Sequence, residues 1–397
     1  MYIYPRFGHS LWYYSQLFDV PLALIIDSNP RLETNDLGDN ERLQIPGFTL
    51  NHYIAKQEET LKQIARKFTI PCEAILCVNL DLHENTSLTV GQKIALPQKV
   101  TWRTIRDKDH YDSAKMRKDL QALFQIYPFL KQQTIGYSVL NDPLKEIQIG
   151  KGPKKVHFNA SFHGNEWITT VFLLSFLDDY LLALMNKTDL RETNPLTLYM
   201  QTTLSIVPMV NPDGVNLVLN GPPDDQEWGG YLLAINNEST DFTGWKANIN
   251  GVDLNDQFPA NWEIEKSRAP QLPGPRDYGG ELPLTEPESI AMAVLTKQRD
   301  FDRVLAFHTQ GEEIYWGYHH CEPKESKTIV KELCKVSGYK AVRNVNSDAG
   351  YKDWYIQEWR RPGFTVELGY GTNPLPIEQF SYIYKRAMGI CLAALYM

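Results

Sequence analysis

Val156-His157-Phe158-Asn159-Ala160-Ser161-Phe162-His163-Gly164-Asn165-Glu166 is the stretch on which the fold turns. An apolar run ends on His163, and three residues later Glu166 begins an amphipathic pattern. A strand passing into a helix at this point aims both side chains at one place. The same texture continues on either side: an amphipathic segment Ser113 to Ile126, apolar runs near Glu146–Ile149 and Leu196–Val207, and helical patterns near Glu286–Gln298 and Lys324–Val336. Strands alternating with helices predict an α/β sandwich with a mostly buried, mixed sheet over residues 100–397. The Pro/Gly-rich stretch from Asn220 to Pro283 is long for a structureless loop, which makes it a candidate wall for a substrate groove. After it, Thr285 followed by Glu288 predicts a capping box that restarts regular structure.

The whole chain has 397 residues, enough for two or three domains, and a net charge of −8. That charge argues against nucleic acid as a partner. The longest apolar stretch, Val171 to Met185, is interrupted by Asp178 and Asp179, so no membrane span is expected. Met1-Tyr2-Ile3-Tyr4-Pro5-Arg6 lacks the basic start and apolar core of a secretory signal, so either synthesis ends in the cytoplasm or a processed form is shown; a cytoplasmic, forespore or spore location is compatible with that. Cys72, Cys77, Cys321, Cys334 and Cys391 are odd in number and without metal-type spacing apart from one Cys-x4-Cys, and are expected to be reduced core thiols.

The N-terminus repeats itself. A shift of 50 residues lays Ser10-Leu11 on Thr60-Leu61, Phe18 on Phe68, Pro21 on Pro71, Ile25 on Ile75 and Asn29 on Asn79; a shift of 51 lays Ile45-Pro46 on Leu96-Pro97. In the second copy Thr60 is placed to cap a helix with Leu61, Ile64, Ala65 and Phe68 on one face, and Pro71 opens another. With Tyr53-Ile54 and Lys93–Leu96 as flanking strands, the unit reads strand, helix, helix, strand. Residues 1–48 and 49–99 therefore form two small βααβ modules. They resemble the LysM family, through Thr60-Leu61, Pro71, Asn79, Val90-Gly91-Gln92 and Pro97 in the second copy and Asn29-Pro30 in the first. The resemblance implies binding to N-acetylglucosamine-containing polymers such as peptidoglycan.

Nine histidines hold the candidate metal ligands, and His-x-x-Glu occurs twice, at His163–Glu166 and at His319–Glu322. With Glu at roughly 6% of positions, about half a match arises by chance, so context must separate the two. His319–Glu322 lies in polar sequence before Pro323 and reads as a solvated loop, whereas His163 ends a strand. A third ligand is available at His308, which ends the apolar run Val304-Leu305-Ala306-Phe307. Two histidines and a carboxylate leave tetrahedral zinc one open position, the usual composition of a hydrolytic site. Glu367, a carboxylate inside the apolar pattern Gly363-Phe364-Thr365-Val366-Glu367-Leu368-Gly369, is the candidate general base.

From His163 to Glu367 the order of motifs resembles the carboxypeptidase A-like zinc peptidase family over residues 105–397: His163 and Glu166, Asn211-Pro212-Asp213-Gly214, Gly251-Val252-Asp253-Leu254-Asn255, His308 and Glu367. The resemblance implies that family's α/β/α sandwich and one zinc ion held by His163, Glu166 and His308. It further implies Glu367 as base and proton shuttle, Asp253 orienting His163, and Asn255 as a substrate contact. Lys246 falls where the family has an arginine that polarises the scissile carbonyl, so it is the oxyanion candidate, with a solvated lysine as the alternative. Where the exopeptidases carry Asn-Arg to grip a terminal carboxylate, this chain has Asn255-Asp256, and a negative group cannot hold that carboxylate. Lys352, before Asp353-Trp354, aligns with the pocket floor. LysM repeats with this variant domain resemble the bacterial γ-D-glutamyl-L-diamino acid endopeptidases, implying peptidoglycan or muropeptides as substrate. Asp256 and Lys352 would then meet the ammonium and carboxylate of meso-diaminopimelate. A metallocarboxypeptidase of unusual specificity and a glycan-binding protein with an inert catalytic domain are the alternatives. No catalytic tyrosine is assigned, since Val345 falls at that place.

Overall fold

The computed structural model describes residues 1–6, 8–32, 37, 42–343 and 346–397; Val345 lies outside them. The chain divides into two compact units. One comprises Met1–Thr104, Asp119–Lys131 and Asp178–Leu190, the other Ile105–Lys118, Gln132–Leu177 and Arg191–Met397.

In the first unit, β1 (Tyr2–Ile3), two helices (Leu11–Leu17 and Leu22–Ser28) and β2 (Leu43–Gln44) form one strand–helix–helix–strand module. A second follows as β3 (Phe48–Ile54), helices Leu61–Phe68 and Cys72–Leu76, and β4 (Lys93–Lys99). Each pair of strands is antiparallel. Thr60 caps as its sequence position predicts: its Oγ1 accepts from Gln63 N at 3.3 Å, and Gln63 Oε1 accepts from Thr60 N at 2.8 Å. Leu61, Ile64 and Ala65 then bury against Ile75, Leu76, Ile94 and Leu96. Phe68, expected on that face, is instead 39% exposed and stands edge-on to Tyr53 at 5.1 Å. The repeated asparagines explain why the pattern recurs. Asn79 Nδ2 donates to Ile75 O (2.7 Å) and Ala95 O (2.8 Å), while its Oδ1 accepts from Ala95 N (2.9 Å). Asn29 makes the same three bonds to Ile25 O, Gln44 O and Gln44 N. In both modules one side chain ties the second helix to the last strand and satisfies backbone groups that would otherwise be buried unpaired.

The second unit is built on one eight-stranded sheet of β5 (Lys131–Tyr137), β6 (Pro143–Gly150), β7 (Lys154–Ala160), β8 (Thr202–Val207), β9 (Arg303–His308), β10 (Glu313–Tyr315), β11 (Lys340–Val342) and β12 (Gly363–Glu367). Their order is β11-β10-β12-β9-β7-β8-β6-β5. The central strands β12, β9, β7 and β8 run parallel, and β10 and β6 pair antiparallel to them. Strand alternation divides the core. Val304 and Ala306 pack with Met292 and Leu295 of helix Pro287–Arg299 and with Trp354 and Tyr355 of helix Tyr351–Trp359. Phe307 meets Phe158 at 5.7 Å and Phe172 at 5.2 Å, and Phe172 meets Tyr384 of the terminal helix Phe380–Tyr396 at 5.9 Å. These phenylalanines are fully buried, each contributing roughly 1.5–3 kcal/mol. The result is the α/β sandwich predicted from the alternation.

Several local expectations are corrected. The run Leu196–Val207 is not all strand, because Asn194 Oδ1 accepts from Thr197 N at 3.0 Å and Pro195 sits at the first helical position, so a helix (Pro195–Gln201) forms before β8 begins. The capping box at Thr285 does not form. Thr285 N donates to Gln257 Oε1 at 2.8 Å, and Glu288 turns inward, fully buried. Residues 220–283 hold two helices, Gln226–Ile235 and Trp262–Arg268. All five cysteines are free, but only Cys77 and Cys391 are buried; the other three are half-buried. Among the described residues one segment, 164–186, is long and apolar enough to cross a membrane by length and composition, and 89% of its apolar window is buried in the protein, as in a core helix.

Candidate metal centre

β7 delivers His163 to the end of the sheet, where it precedes a single 3-10 turn, Gly164–Glu166. The turn needs a glycine. A Cβ on Gly164 would lie 2.6 Å from the Gly214 backbone, and the same amide donates to Lys246 O at 3.0 Å. Asn211 supports the arrangement from below: its Nδ2 donates to Phe162 O (3.1 Å) and Ala247 O (3.0 Å), and its Oδ1 accepts from Gly214 N (2.9 Å). The Asn211–Gly214 motif is thus the bracket that presents the turn. His308 arrives at the end of β9, stacked 6.0 Å from Phe162, and the register Glu367↔His308 places Glu367 at the end of the neighbouring strand.

His163, Glu166 and His308 converge, all buried. His163 Nδ1 lies 2.8 Å from Glu166 Oε1, His308 Nδ1 lies 3.0 Å from Glu166 Oε2, and the two Nδ1 atoms are 3.3 Å apart. On its far side His163 Nε2 meets Asp253 Oδ1 at 3.1 Å. A carboxylate only accepts, so Nε2 carries the proton and Nδ1 presents a lone pair toward Glu166, itself an acceptor. A cation must sit between them. Burial opposes a second proton on His163, yet the Glu166 and Asp253 carboxylates push it up to about 10. Burial would raise Glu166 and Asp253, but His163 and His308 hold Glu166, and His163 and Lys246 hold Asp253, well below the usual carboxylate range. Burial pushes His308 down despite Glu166. Two imidazole nitrogens and one carboxylate, with an outer carboxylate fixing one tautomer, fit zinc.

Beside these donors is a cavity of about 290 Å³ whose lining includes His163, His308, Glu367, Lys246, Asn255, Asp256 and Lys352, so every residue proposed from sequence to touch metal or substrate, except the enclosed Glu166, faces one space. Glu367 is half-buried. Burial, aided by the charge of Glu166 and opposed by His163 and Lys246, pushes its carboxyl up to about 8. Lys246 is not a solvated surface lysine. Its side chain is 18% exposed and its Nζ lies 3.5 Å from Asp277 Oδ1 and 3.7 Å from Asp253 Oδ2. Burial works against its charge, but these carboxylates, Asp253 foremost, hold it protonated. Burial and then the charge of Asp253 push Asp256 well above the carboxylate range. Asn255 N donates to Asp253 Oδ1 at 3.1 Å. Lys352 is buried, donates to Gly317 O at 3.1 Å, and pairs with its sequence neighbour Asp353.

The structure adds groups that sequence reasoning passed over. Tyr315, Glu265, Asp277, Ser347, Asp353 and Thr365 also line the cavity. Tyr315 sits on β10, a three-residue strand too short to show periodicity, and Glu265 on a helix of seven residues inside the stretch taken as irregular. Asp353 follows Lys352 directly in helix Tyr351–Trp359. The second His-x-x-Glu, His319–Glu322, is not a metal site: His319 is 60% exposed, and Glu322 binds Tyr318 N and Arg343.

The zinc carboxypeptidase family model matches residues 116–387, and the LysM domain model matches residues 53–97. Over 392 residues, 99% of either chain, the protein is 56% identical to gamma-D-glutamyl-L-diamino acid endopeptidase 1 of Lysinibacillus sphaericus. It is 42% identical over 386 residues, 96% of either chain, to YqgT of Bacillus subtilis (strain 168). Among solved structures, thrombin-activatable fibrinolysis inhibitor aligns with a TM-score of 0.58 at 18% identity, over 74% of this chain and 80% of that one. Carboxypeptidase A from Helicoverpa armigera aligns at 0.54 and 16%, over 88% and 98%. These two likenesses carry the fold.

Proposed function

Because the chain belongs to the zinc carboxypeptidase family and carries a LysM domain, we propose that it is a zinc-dependent peptidoglycan hydrolase cleaving the γ-D-glutamyl to meso-diaminopimelate bond of stem peptides, the class of reaction in the name of its 56% identical relative. The observation that carries the reading is the cavity itself. Among the described residues none of its lining groups is an arginine, and Asp256, Glu265, Asp277 and Asp353 line it together with Lys246 and Lys352. Such a lining suits a substrate with both an ammonium and a carboxylate beyond the cut, and gives no bidentate grip on a chain terminus.

One zinc ion on His163, Glu166 and His308 would supply Lewis-acid chemistry, polarising the scissile carbonyl and acidifying a water. Glu367 takes a proton from the attacking water and gives it to the leaving amine nitrogen, a task suited to a carboxyl whose proton affinity burial has raised. Lys246, held charged by Asp253 and Asp277, steadies the oxyanion. Asp253 keeps His163 in the tautomer that leaves Nδ1 free for the metal. Asn255 contacts the substrate near the cut. Asp256 receives the diaminopimelate ammonium, whose charge favours its ionised form, and Lys352 receives the far carboxylate with a donor not used on Gly317 or Asp353. The modules at 1–48 and 49–99 hold N-acetylglucosamine-containing glycan and raise the local substrate concentration for residues 100–397.

The test is hydrolysis of a γ-D-glutamyl-meso-diaminopimelate peptide by the full chain before and after chelation. Activity is expected to vanish and to return with zinc. Full turnover in a rigorously metal-free sample contradicts the reading.

A further inference from the structure

Glu166 is tied on sides that the histidines do not reach. Thr309 N donates to Glu166 Oε2 at 3.2 Å, and Asn373 Nδ2 lies 3.4 Å from Glu166 Oε1. Asn373 comes from the loop after β12, six residues beyond Glu367, and is itself held at two points by Thr309. Its Nδ2 donates to Thr309 O at 2.9 Å, and its Oδ1 accepts from Thr309 Oγ1 at 2.8 Å. The direction of the amide follows from these partners. A backbone carbonyl and a carboxylate can only accept, so the nitrogen must face both of them, and the Thr309 hydroxyl must donate to the oxygen. Turned over, the amide would set an oxygen against an anion.

We propose that Asn373, locked by the Thr309 hydroxyl, is a positioning residue for the ligand Glu166. With His163, His308, Thr309 N and Asn373 around it, the carboxylate cannot swing without losing a partner, so its oxygens stay aimed at the point the two imidazoles share. The hydrogen bonds also draw negative charge away from an anion that otherwise faces Glu367 in the same site. Thr309 follows the ligand His308 directly and Asn373 follows the base Glu367 by six positions, so one contact ties the segment after β9 to the segment after β12. The inference rests on the reading that His163, Glu166 and His308 hold zinc.

Zinc affinity, measured on the full chain by competition with a chromophoric chelator, tests it without reference to turnover. Asn373→Ala should raise the zinc dissociation constant about 10- to 100-fold, the usual effect of removing a partner of a metal ligand. Thr309→Val keeps the backbone N–H and the side-chain shape but removes the lock, and should raise it about tenfold, while Thr309→Ser should restore native affinity. The zinc-free thermal midpoint of Thr309→Val should match that of native protein, which separates positioning from a loss of fold. Native affinity in Thr309→Val, or equal losses in Thr309→Val and Thr309→Ser, would overturn the proposal. Native protein that takes up no zinc would instead contradict the metal reading on which it stands.

Discussion

Glu288→Gln should change how the stability of the protein responds to pH. Glu288 is fully buried in helix Pro287–Arg299, where its carboxyl accepts from Val139 N at 3.1 Å and Asn248 Nδ2 at 3.3 Å. Asn248 in turn fixes the loop between Lys246 and Asp253, accepting from Val252 N and Asn250 N on its Oδ1. Burial, more than the hydrogen bonds can offset, pushes Glu288 up from 4.5 to about 8. A carboxyl with a raised folded-state value binds its proton more tightly folded than unfolded. Its contribution is therefore fully present below about pH 4.5 and is lost as pH rises toward 8. At 1.36 kcal/mol per unit of pKa, the loss across that window has a ceiling of about 5 kcal/mol. Glutamine cannot ionise, so the variant escapes the loss. Urea unfolding of both proteins at pH 5, 7 and 9 should show the variant gaining on the native chain by several kcal/mol over the series. Stability curves that run parallel across those pH values would refute a buried, proton-holding Glu288.

Two further outcomes follow from the site. Glu367→Gln should retain zinc, since Glu367 is not among the three converging donors, while turnover falls by about 10²- to 10⁴-fold because an amide cannot carry the proton; metal analysis beside a rate assay checks both halves. Lys352→Met keeps most of the buried stem but loses the charge, and should narrow the preference for diaminopimelate over lysine peptides by roughly 10- to 150-fold, the value of one charge-assisted contact of about 1.5–3 kcal/mol; kcat/KM ratios for the two peptides measure it, and an unchanged ratio removes Lys352 from substrate recognition.

Much of the site could be inferred from sequence for a physical reason. His163, His308 and Glu367 each end or nearly end an apolar strand, and adjacent parallel strands place such residues together at one end of a sheet. The doubled pattern of the N-terminal modules was legible for a similar reason, because Asn29 and Asn79 each satisfy the same backbone groups. What stayed hidden lacks periodicity. Asn373 and Thr309 are polar residues of loops, and only the meeting of two strand ends shows that they touch. β10 and β11 have three residues each. The capping box at Thr285 failed because a remote side chain, Gln257, captured the amide that a local rule assigns to Glu288. Lys352, expected to meet a substrate carboxylate, is buried and paired with its sequence neighbour Asp353; adjacency alone did not announce the pair, because neighbours in a helix do not ordinarily face each other.

With no arginine lining its cavity among the described residues, this site is expected to cut inside the stem peptide and not to trim its end. The most direct measurement is mass spectrometry of the products from the tetrapeptide L-Ala-γ-D-Glu-meso-diaminopimelate-D-Ala incubated with the zinc-loaded protein. Two dipeptides, L-Ala-D-Glu and diaminopimelate-D-Ala, are expected. Release of free D-Ala with the γ-D-glutamyl bond intact would contradict this and identify a carboxypeptidase.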